Sequence, residues 1–509
     1  MPDPSPTITE HVDVVIVGAG LSGIGAAHHL QTKCPDLTYT ILEGRDSIGG
    51  TWDLFRYPGV RSDSDMLTLG YRLRPWAGSA AIADGPSILR YVRDTAREQG
   101  IDRRIQFGRR VVRAEWSSVD SRWTLQIQQG EDAVRMTCRF LYCCSGYYRY
   151  DKGFQPDWPG VDSFTGQLVH PQEWPADLDH AGKKVVVIGS GATAMTLVPA
   201  MARTADGVTL VQRSPTYVIS LPAEDAFNDR ARRILPAGPA FLMSRWKNVL
   251  TTMASYRITR RWPKAAKKFL LRGVRRQLPP GFDVATHFTP RYNPWDQRLC
   301  VVPDGDLFRS LSDGTATMVT DQIAEFVPTG VRLASGDVLE ADIVVTATGL
   351  NLLAFGGMQL SVDGQDVDLP ASMAYKSMML AGVPNFAFAI GYTNASWTLK
   401  VDLTSEYVCR LLNLMREKHY AAAVPVADPS VPGVQFLDFA AGYVRRSVKD
   451  FPQQGTVAPW RVTMNYLRDL PALRFGSITE QMEFRSVQPP IGVGSRVSGG
   501  TGSEPRRRS

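Results

Sequence analysis

The first regular pattern in the chain is an apolar run over residues 12–17, followed by glycines and an alanine-rich stretch. A short apolar run bounded by turn residues predicts a buried strand, and the stretch after it predicts a helix. A second apolar run, within LTYTILEGRD, predicts a strand that ends before Glu43. Twenty residues separate Gly23 from Glu43, and this spacing is typical of a dinucleotide-binding βαβ unit in which Gly23 lets helix and strand pack closely.

The same order of elements recurs further along the chain. An apolar run over residues 185–188 leads into a glycine turn and a second helix, and VTLVQRSP supplies the next strand. The turn consists of Gly189, Ser190, Gly191, Ala192, Thr193 and Ala194. Two such units predict an α/β fold with two Rossmann-like dinucleotide-binding domains.

The residue that follows the second strand of each unit predicts which nucleotide binds there. In the first unit, Gly18 and Gly20 allow the backbone to approach a pyrophosphate, and Glu43 would accept hydrogen bonds from free ribose hydroxyls. The second unit has Arg213 and Ser214 in place of an acid. A guanidinium and a hydroxyl suit a ribose 2′-phosphate, which a carboxylate would repel. We therefore expect NADPH in the second unit and electron transfer between two cofactors.

A strongly basic segment interrupts the second unit. Fourteen Lys or Arg and no Asp or Glu fall between residues 230 and 282, whereas the net charge of the whole chain is +7. Apolar residues recur there at helical spacing: Trp246, Val249, Leu250, Met253 and Tyr256. This pattern predicts a helical insertion with one face packed inward and one cationic face. Three interpretations of the cationic face stay open: a solvated surface, attraction of NADPH, and weak peripheral association with anionic lipid.

Composition limits the class of protein. Hydrophobic residues make up 44% of the chain and charged residues 21%, as in ordinary globular proteins. The six cysteines include no CxxC pair, which argues against a redox dithiol or a metal site and fits a reducing, cytoplasmic compartment. The N-terminal residues lack the basic and apolar regions of an export signal. No nucleic-acid partner is expected, and no oligomeric state is predicted.

Two longer motifs resemble those of a known enzyme family. The loop SIGGTWDLFRYPGVRSDSD matches class B flavin monooxygenases of the Baeyer–Villiger type at Gly49, Gly50, Trp52, Tyr57, Pro58, Gly59 and Asp63. The segment FTGQLVHPQEWP fits that family's identifying pattern, FxGxxxHxxxW followed by Pro, at Phe164, Gly166, His170, Trp174 and Pro175. The resemblance runs from residue 12 to about residue 485, and YNPWDQRLC and GYTNASWTLK are closest to its ethionamide-activating branch.

The resemblance implies tightly bound FAD, NADPH as reductant, and oxygen insertion through a C4a-peroxyflavin. It implies that ketones become esters or lactones with O2 as co-substrate, and that sulfides and thioamides are oxygenated at sulfur. Loops around residues 292–295 and 394–397 are rich in aromatic and aliphatic side chains. These loops and the helical insertion are expected to form the pocket walls, and their composition indicates small lipophilic substrates.

The resemblance also implies the catalytic residues. Arg298 occupies the position of a catalytic arginine, whose fixed guanidinium would stabilise the anionic flavin peroxide and the oxyanion formed on the substrate. Asp63 is its expected partner, with Asp65 as a competing candidate. Many relatives carry a lysine that helps hold the 2′-phosphate where this chain has Gln297. The preference for NADPH over NADH is therefore less firmly predicted than Arg213 alone suggests.

Further cofactor contacts are expected on both sides of the flavin. Arg61 and Ser62 should contact the nicotinamide nucleotide. The remaining cofactor-binding positions expected in the first unit are Ser22, Thr51, Trp52 and Val111. A helix beginning at about Lys400 should point its N-terminus at the flavin pyrimidine, where the helix dipole favours negative charge.

The resemblance implies that His170 organises domain position and takes no direct part in the chemistry, although a role as a general acid or base stays open as the less favoured interpretation. Its ring would tie the linker to a cofactor domain, and Trp174 with Pro175 would fix the turn.

Three rival functions stay open: an N- or S-oxidising flavin monooxygenase without ketone activity, a flavin–disulfide reductase, and a redox-sensing or membrane-binding module. The reductase is disfavoured because it needs a suitably spaced cysteine pair, and Cys143 and Cys144 are adjacent.

These expectations divide the chain into alternating segments. The FAD-binding domain comprises 1–151 and 349–491, the NADPH-binding domain comprises 152–220 with the linker and 294–348, the helical insertion is 221–293, and 492–509 is a disordered tail.

Overall fold

A computed structural model describes residues 8–297, 299–437 and 441–486. Arg298 and the predicted tail, 492–509, lie outside the described residues. The helices are α1 Leu21–Lys33, α2 Thr51–Leu54, α3 Met66–Leu69, α4 Gly85–Glu98, α5 Ala192–Met201, α6 Ala226–Ile234, α7 Ala237–Arg261, α8 Pro263–Arg275, α9 Val284–Phe288, α10 Asp306–Ser312, α11 Trp397–Glu417, α12 Gly442–Ser447 and α13 Tyr466–Arg474.

The described strands have between two and twelve residues. They are β1 Ile8–Val17, β2 Tyr39–Leu42, β3 Ile105–Gln106, β4 Arg110–Ser117, β5 Arg122–Gln129, β6 Asp132–Cys143, β7 Gln167–Val169, β8 Lys184–Ile188, β9 Gly207–Gln212, β10 Val218–Leu221, β11 Cys300–Pro303, β12 Ala316–Thr320, β13 Ile323–Val327, β14 Gly330–Leu333, β15 Val338–Glu340, β16 Ile343–Thr346, β17 Gln359–Val362, β18 Gln365–Asp366, β19 Ala374–Tyr375, β20 Met379–Leu380, β21 Phe386–Phe388, β22 Tyr420–Pro425, β23 Gly433–Gln435, β24 Gln453–Gly455 and β25 Met482–Ser486.

The larger sheet is built around β1. Its strand order is β18-β17-β4-β5-β6-β1-β2-β3, with β21 paired to β6. β1 pairs in parallel with β2 and β6, while β4, β5 and β6 form an antiparallel meander. β17, β18 and β21 come from the last third of the chain. This sheet is therefore completed only after the chain has formed the second sheet and returned.

Consecutive side chains of β1 enter two different cores. Val14 and Ile16 pack with residues of α1, α4 and α11, whereas Val15 packs with the antiparallel strands and β21 on the opposite face. All three are fully buried. Burial on both faces explains why this strand is an unbroken apolar run and not an alternating one.

The second sheet is entirely parallel. Its order is β12-β9-β8-β16-β7. Val185 and Val187 of β8 point into one core, and Val186 points into another. β7 comes from the segment that the sequence indicated as a linker, so this segment adds an edge strand to the second sheet before the chain reaches its glycine turn.

The helical insertion consists of α6, α7, α8 and α9. One expectation about it is wrong: the five apolar residues predicted to form one inward face are divided between two environments. Val249 and Met253 are buried, whereas Trp246 and Leu250 are exposed. Helical spacing groups residues into a stripe, but it does not determine where along the stripe the core contact ends.

Across the described ranges, no helix combines the length and apolarity needed to cross a membrane.

The helix predicted to begin at about Lys400 begins earlier, at Trp397. Lys400 therefore lies inside its first turns and is buried. Its ammonium is 2.7 Å from Asp469 Oδ2 of α13, and both side chains are at most 5% exposed. Asp469 also accepts hydrogen bonds from the Tyr392 hydroxyl, at 2.6 Å, and from Thr463. This buried ion pair fixes the start of α11 against α13.

We expect Lys400→Met to destabilise the protein by about 3 kcal/mol, because it leaves the Asp469 carboxylate buried without its cation. Adding Asp469→Asn should recover part of the loss, since the uncompensated charge is then gone. The matched control is Lys184→Met, which removes a lysine from the exposed pair with Glu340 and should change stability far less. Denaturant unfolding followed by circular dichroism measures all three. Equal losses for the two lysine variants would contradict this account.

Candidate active site between two glycine turns

The first glycine turn joins β1 to α1 at the carboxyl edge of the larger sheet. The close approach at Gly23 is real, because a Cβ there would lie 1.9 Å from the Gly18 carbonyl oxygen. Glu43 follows the neighbouring strand β2, and its carboxylate accepts hydrogen bonds from Ala19 N at 2.7 Å and Arg45 N at 2.9 Å. Burial raises the pKa of Glu43, and these two N–H donors oppose that shift.

The second glycine turn joins β8 to α5 in the same way. α5 begins after Gly191, and within the described residues no heavy atom lies within 4 Å of the position that a Cβ on Gly191 would occupy. Neither Gly20 before α1 nor Gly191 before α5 provides a capping side chain. The N–H groups of both first helical turns are thus available to an anionic ligand, as a bound pyrophosphate requires.

One cavity of about 680 Å³ contacts both turns. Twelve of the predicted site residues line it: Gly18, Gly20, Ser22, Glu43, Thr51, Trp52, Arg61, Ser62, Asp63, Val111, Ala192 and Thr193. The predicted positions outside its lining are Gly23, Gly189, Ser190, Gly191, Ala194, Arg213 and Ser214. Of these, Ala194 is buried in the core under α5, and Arg213 and Ser214 are exposed just after β9. The residues present fit a dinucleotide at each turn.

The loop that contains Tyr57, Pro58 and Gly59 joins the two turns. The side chain of Tyr57 interacts with that of Thr193 at the start of α5, and burial raises the pKa of Tyr57 to about 12. Gly59 has φ +76°, and a Cβ there would lie 2.7 Å from Ala200 Cβ. The loop therefore packs directly against α5, and a side chain at position 59 would separate them.

The next residues of this loop line the cavity that contacts both glycine turns. Arg61 lines the cavity, and its guanidinium is 2.5 Å from Asp306 Oδ2 of α10. The Ser62 hydroxyl donates to the Ser64 carbonyl oxygen at 2.7 Å. Asp63 lines the cavity. The expected contacts of Arg61 and Ser62 with a nicotinamide nucleotide, and of Asp63 with Arg298, stay predictions.

Asp65, the competing candidate, has a structural role. Its carboxylate accepts a hydrogen bond from Thr68 N at 3.0 Å and thereby caps α3. It also accepts from Asn248 Nδ2 of α7 at 3.0 Å. This carboxylate is therefore engaged by helix α3 and by the insertion, and the assignment of Asp63 as the arginine partner stays a prediction.

Some lining residues were not predicted from the sequence. Arg45 Nη2 is 2.7 Å from Asp53 Oδ2, and its guanidinium lies 5.7 Å from the ring centroid of Tyr150. Both Arg45 and Tyr150 line the cavity, and burial raises the pKa of Tyr150 to about 12. No short motif contains them; they meet only because β6 ends beside β1.

The expectation for the pocket walls is wrong in part. Within the described residues, neither the helical insertion nor the loop 292–295 contributes a side chain to the lining of this cavity.

His170 directly follows β7 and lies beside the segment after β16 that leads back to the larger sheet. Its Nε2 is 3.2 Å from the Gly349 carbonyl oxygen, to which it donates, and its Nδ1 accepts from Gln172 N at 3.2 Å. A Cβ on Gly153 would overlap the imidazole ring. Burial lowers the pKa of His170, so the ring is neutral at neutral pH. These contacts agree with a role in positioning the segments that connect the two sheets.

Two protein families match the chain. The flavin-binding monooxygenase-like family matches residues 82–363, which is more than half of the chain, and the NAD(P)-binding Rossmann-like domain family matches residues 16–73. The chain belongs to the flavin-binding monooxygenase family. The predicted α/β class with Rossmann-like domains is thereby also confirmed.

Relatives of similar length are closely related in sequence. The FAD-containing monooxygenase EthA of Mycobacterium tuberculosis is 54% identical over 491 residues, covering 96% of this chain and 100% of the relative. The probable FAD-binding monooxygenase AlmA of Acinetobacter baylyi is 47% identical, covering 91% of this chain and 94% of its own. The resemblance to the ethionamide-activating branch is confirmed by this identity.

Solved structures of lower identity share the fold. An open crystal structure of cyclohexanone monooxygenase aligns with a TM-score of 0.72 at 20% identity, covering 94% of this chain and 100% of that one. An oxidized steroid monooxygenase bound to NADP aligns with a TM-score of 0.70 at 21% identity, covering 94% and 100%. OTEMO in complex with FAD and NADP aligns with a TM-score of 0.66 at 22% identity, covering 82% and 88%. These neighbours agree with the prediction of two nucleotide cofactors.

If Arg213 binds the 2′-phosphate, Arg213→Ala should raise KM for NADPH about tenfold or more, because a charge-assisted hydrogen bond contributes roughly 1.5–3 kcal/mol. KM for NADH, which lacks this phosphate, should not change. The control is Arg203→Ala, which removes the same charge beyond the other end of α5. Steady-state oxidation of both nucleotides measures the effect. A parallel loss for NADPH and NADH would show that Arg213 acts on something other than the phosphate.

Burial of His170 predicts a pH dependence of stability. The folded protein binds a proton at this ring less tightly than the unfolded chain, whose histidines titrate near 6.5. Protonation therefore favours unfolding, and stability falls as the pH drops through this value. His170→Gln keeps an amide donor for Gly349 but cannot titrate, so its melting temperature should fall less between pH 7.5 and 5.5 than that of the wild type. The exposed His419→Gln is the control, and identical pH profiles for wild type and His170→Gln would refute the prediction.

Proposed function

We propose that this chain is an NADPH- and O2-dependent FAD monooxygenase that converts lipophilic ketones into esters or lactones and also oxygenates sulfides and thioamides at sulfur. The observation that carries the proposal is the single cavity lined by Gly18 and Gly20 of one glycine turn and by Ala192 and Thr193 of the other. Two nucleotide sites that open into one space allow electrons to pass directly from one cofactor to the other.

The chain's own residues would hold the two cofactors. Bound FAD would supply oxygen activation, and NADPH would supply two electrons. An ionised carboxylate has about four lone-pair positions, so Glu43 retains acceptors for ribose hydroxyls beyond the two N–H groups that it already binds. The uncapped first turns of α1 and α5 would bind the pyrophosphates. Arg213 and Ser214 are exposed after β9 and are proposed to bind the 2′-phosphate.

Arg298 is proposed as the catalytic cation, a role carried over from the family resemblance. Negative charge develops on the substrate oxygen when a ketone carbonyl is attacked, and a guanidinium cannot relieve that charge by losing its own proton. A preorganised donor of this kind contributes roughly 3–4 kcal/mol to a transition state. Asp63 lines the cavity and is proposed to orient Arg298. Tyr57 and Arg61 would fix this loop through their contacts with Thr193 and Asp306.

The cavity lining supports lipophilic substrates. Trp52, Phe55, Tyr392 and Trp397 supply aromatic surface, while Leu54, Leu69 and Leu353 supply aliphatic surface. The Trp397 indole donates to the Ser22 hydroxyl at 2.8 Å, which joins the start of α11 to the first glycine turn. α11 is thereby held with its N-terminus at the cavity, where its dipole would favour the negative charge of reduced flavin.

We expect Arg298→Ala to abolish ester formation, with a loss of at least about a hundredfold in kcat, while NADPH still reduces the flavin at the wild-type rate. Arg291→Ala, which changes an exposed arginine of the same loop, is the control. Stopped-flow reduction and mass spectrometry of products from a simple alkyl ketone and an alkyl sulfide give the two readouts. Wild-type ester formation by Arg298→Ala would remove Arg298 from the mechanism. Sulfoxide without ester from the wild type would favour the rival S-oxidising function.

A further inference from the structure

The outer face of α7 carries a row of exposed apolar side chains. Met243, Trp246 and Leu250 are all more than two-fifths exposed. Their spacing of three and four residues places them on one face of the helix. α7 has 25 residues, so it is roughly 38 Å long. Single exposed apolar residues need no explanation, but a continuous row along a long helix indicates a contact surface.

The row continues into the turn between α7 and α8. Ile258 is 54% exposed, Trp262 is 57% exposed, and Phe269 on α8 is 73% exposed. Trp262 occupies the position between the two helices and is the residue that ends one and begins the other. Large aromatic side chains at a protruding helical turn are well placed to enter a soft apolar phase.

Cations alternate with these apolar side chains. Exposed basic residues flank the turn on both helices: Arg257, Arg261, Lys264, Lys268 and Arg272. Carboxylates pair with Lys247 and Arg260, through Asp225 and Asp296, but no carboxylate in the described part of the chain forms an ion pair with the five flanking cations. The Arg261 guanidinium lies 5.9 Å from the Trp262 ring centroid. Positive charge and apolar surface therefore occupy the same face.

We propose that the outer face of α7 and α8 docks on an anionic phospholipid bilayer. Its rings enter the boundary between headgroups and acyl chains, and its cations bind lipid phosphates. A free nucleotide would account for the cations but not for Trp262 and Phe269. A second copy of the chain would account for the apolar row, but a twofold contact would place like charges against each other. The docking surface is independent of the proposed reaction.

Sedimentation of the FAD-loaded holoprotein with vesicles tests the proposal. We expect binding to vesicles that contain phosphatidylglycerol, a loss of binding as salt increases, and little binding to pure phosphatidylcholine. Trp262→Ala combined with Phe269→Ala should lower the affinity for anionic vesicles about tenfold or more, because two buried rings are lost. Lys264→Glu combined with Lys268→Glu should lower it by a similar factor.

Matched controls separate this face from the rest of the surface. Phe475→Ala changes a residue that is 76% exposed on α13's C-terminal side, and Arg203→Glu with Lys449→Glu repeats the charge change elsewhere. Both should bind vesicles like the wild type, and every variant should oxidise NADPH normally. Unchanged vesicle affinity in the Trp262 and Phe269 variant would overturn the proposal, as would equal binding to both vesicle types. A dimer in sedimentation velocity that the same substitutions dissociate would assign the face to a second copy instead.

Discussion

The packing of residues 57–61 against the second unit is the constraint on which the rest of the site depends. Gly59 allows the backbone of this loop to contact α5, Tyr57 interacts with Thr193, and Arg61 pairs with Asp306. An ion pair that is only about 15% exposed contributes little net stability, but it specifies one arrangement among several. This loop belongs to the first unit and packs against α5, which follows the second glycine turn. Its position therefore determines whether the two turns face one cavity.

The path of the chain imposes a second constraint. The chain leaves the larger sheet after β6 and returns to it after β16, and these two crossings run side by side. Phe154 N donates to the Gly349 carbonyl oxygen at 3.0 Å, Asn351 Nδ2 donates to the Gly153 carbonyl oxygen at 3.1 Å, and the neutral ring of His170 contacts the same place. The segment that follows β16 supplies β17 and β21 to the larger sheet, so the two connecting segments tie this sheet to the second unit.

The sequence was informative where structure is local. Both glycine turns, their flanking strands and Glu43 could be predicted, because a βαβ unit encodes its pattern within some thirty residues. Contacts between distant segments could not be predicted in this way. Arg45 meets Tyr150, and Arg61 meets Asp306, only in the folded chain. The charge pattern of the insertion indicates only part of its arrangement. Most of its cations are exposed as expected, but Arg245 is buried, and Trp246 and Leu250 are exposed together with the cations. The spacing of apolar residues along a helix does not determine which other parts of the chain will pack against them.

The insertion nevertheless contributes to the site through its inner face. Arg245 of α7 is buried and donates to the carbonyl oxygens of Leu67, at 2.6 Å, and Gly70, at 3.0 Å. These carbonyls belong to the end of α3, which begins directly after Asp65. Burial lowers the pKa of Arg245, yet a guanidinium remains charged and stabilises the negative end of a helix. α7 therefore holds the segment that follows Asp63 from one side while it presents its apolar row on the other.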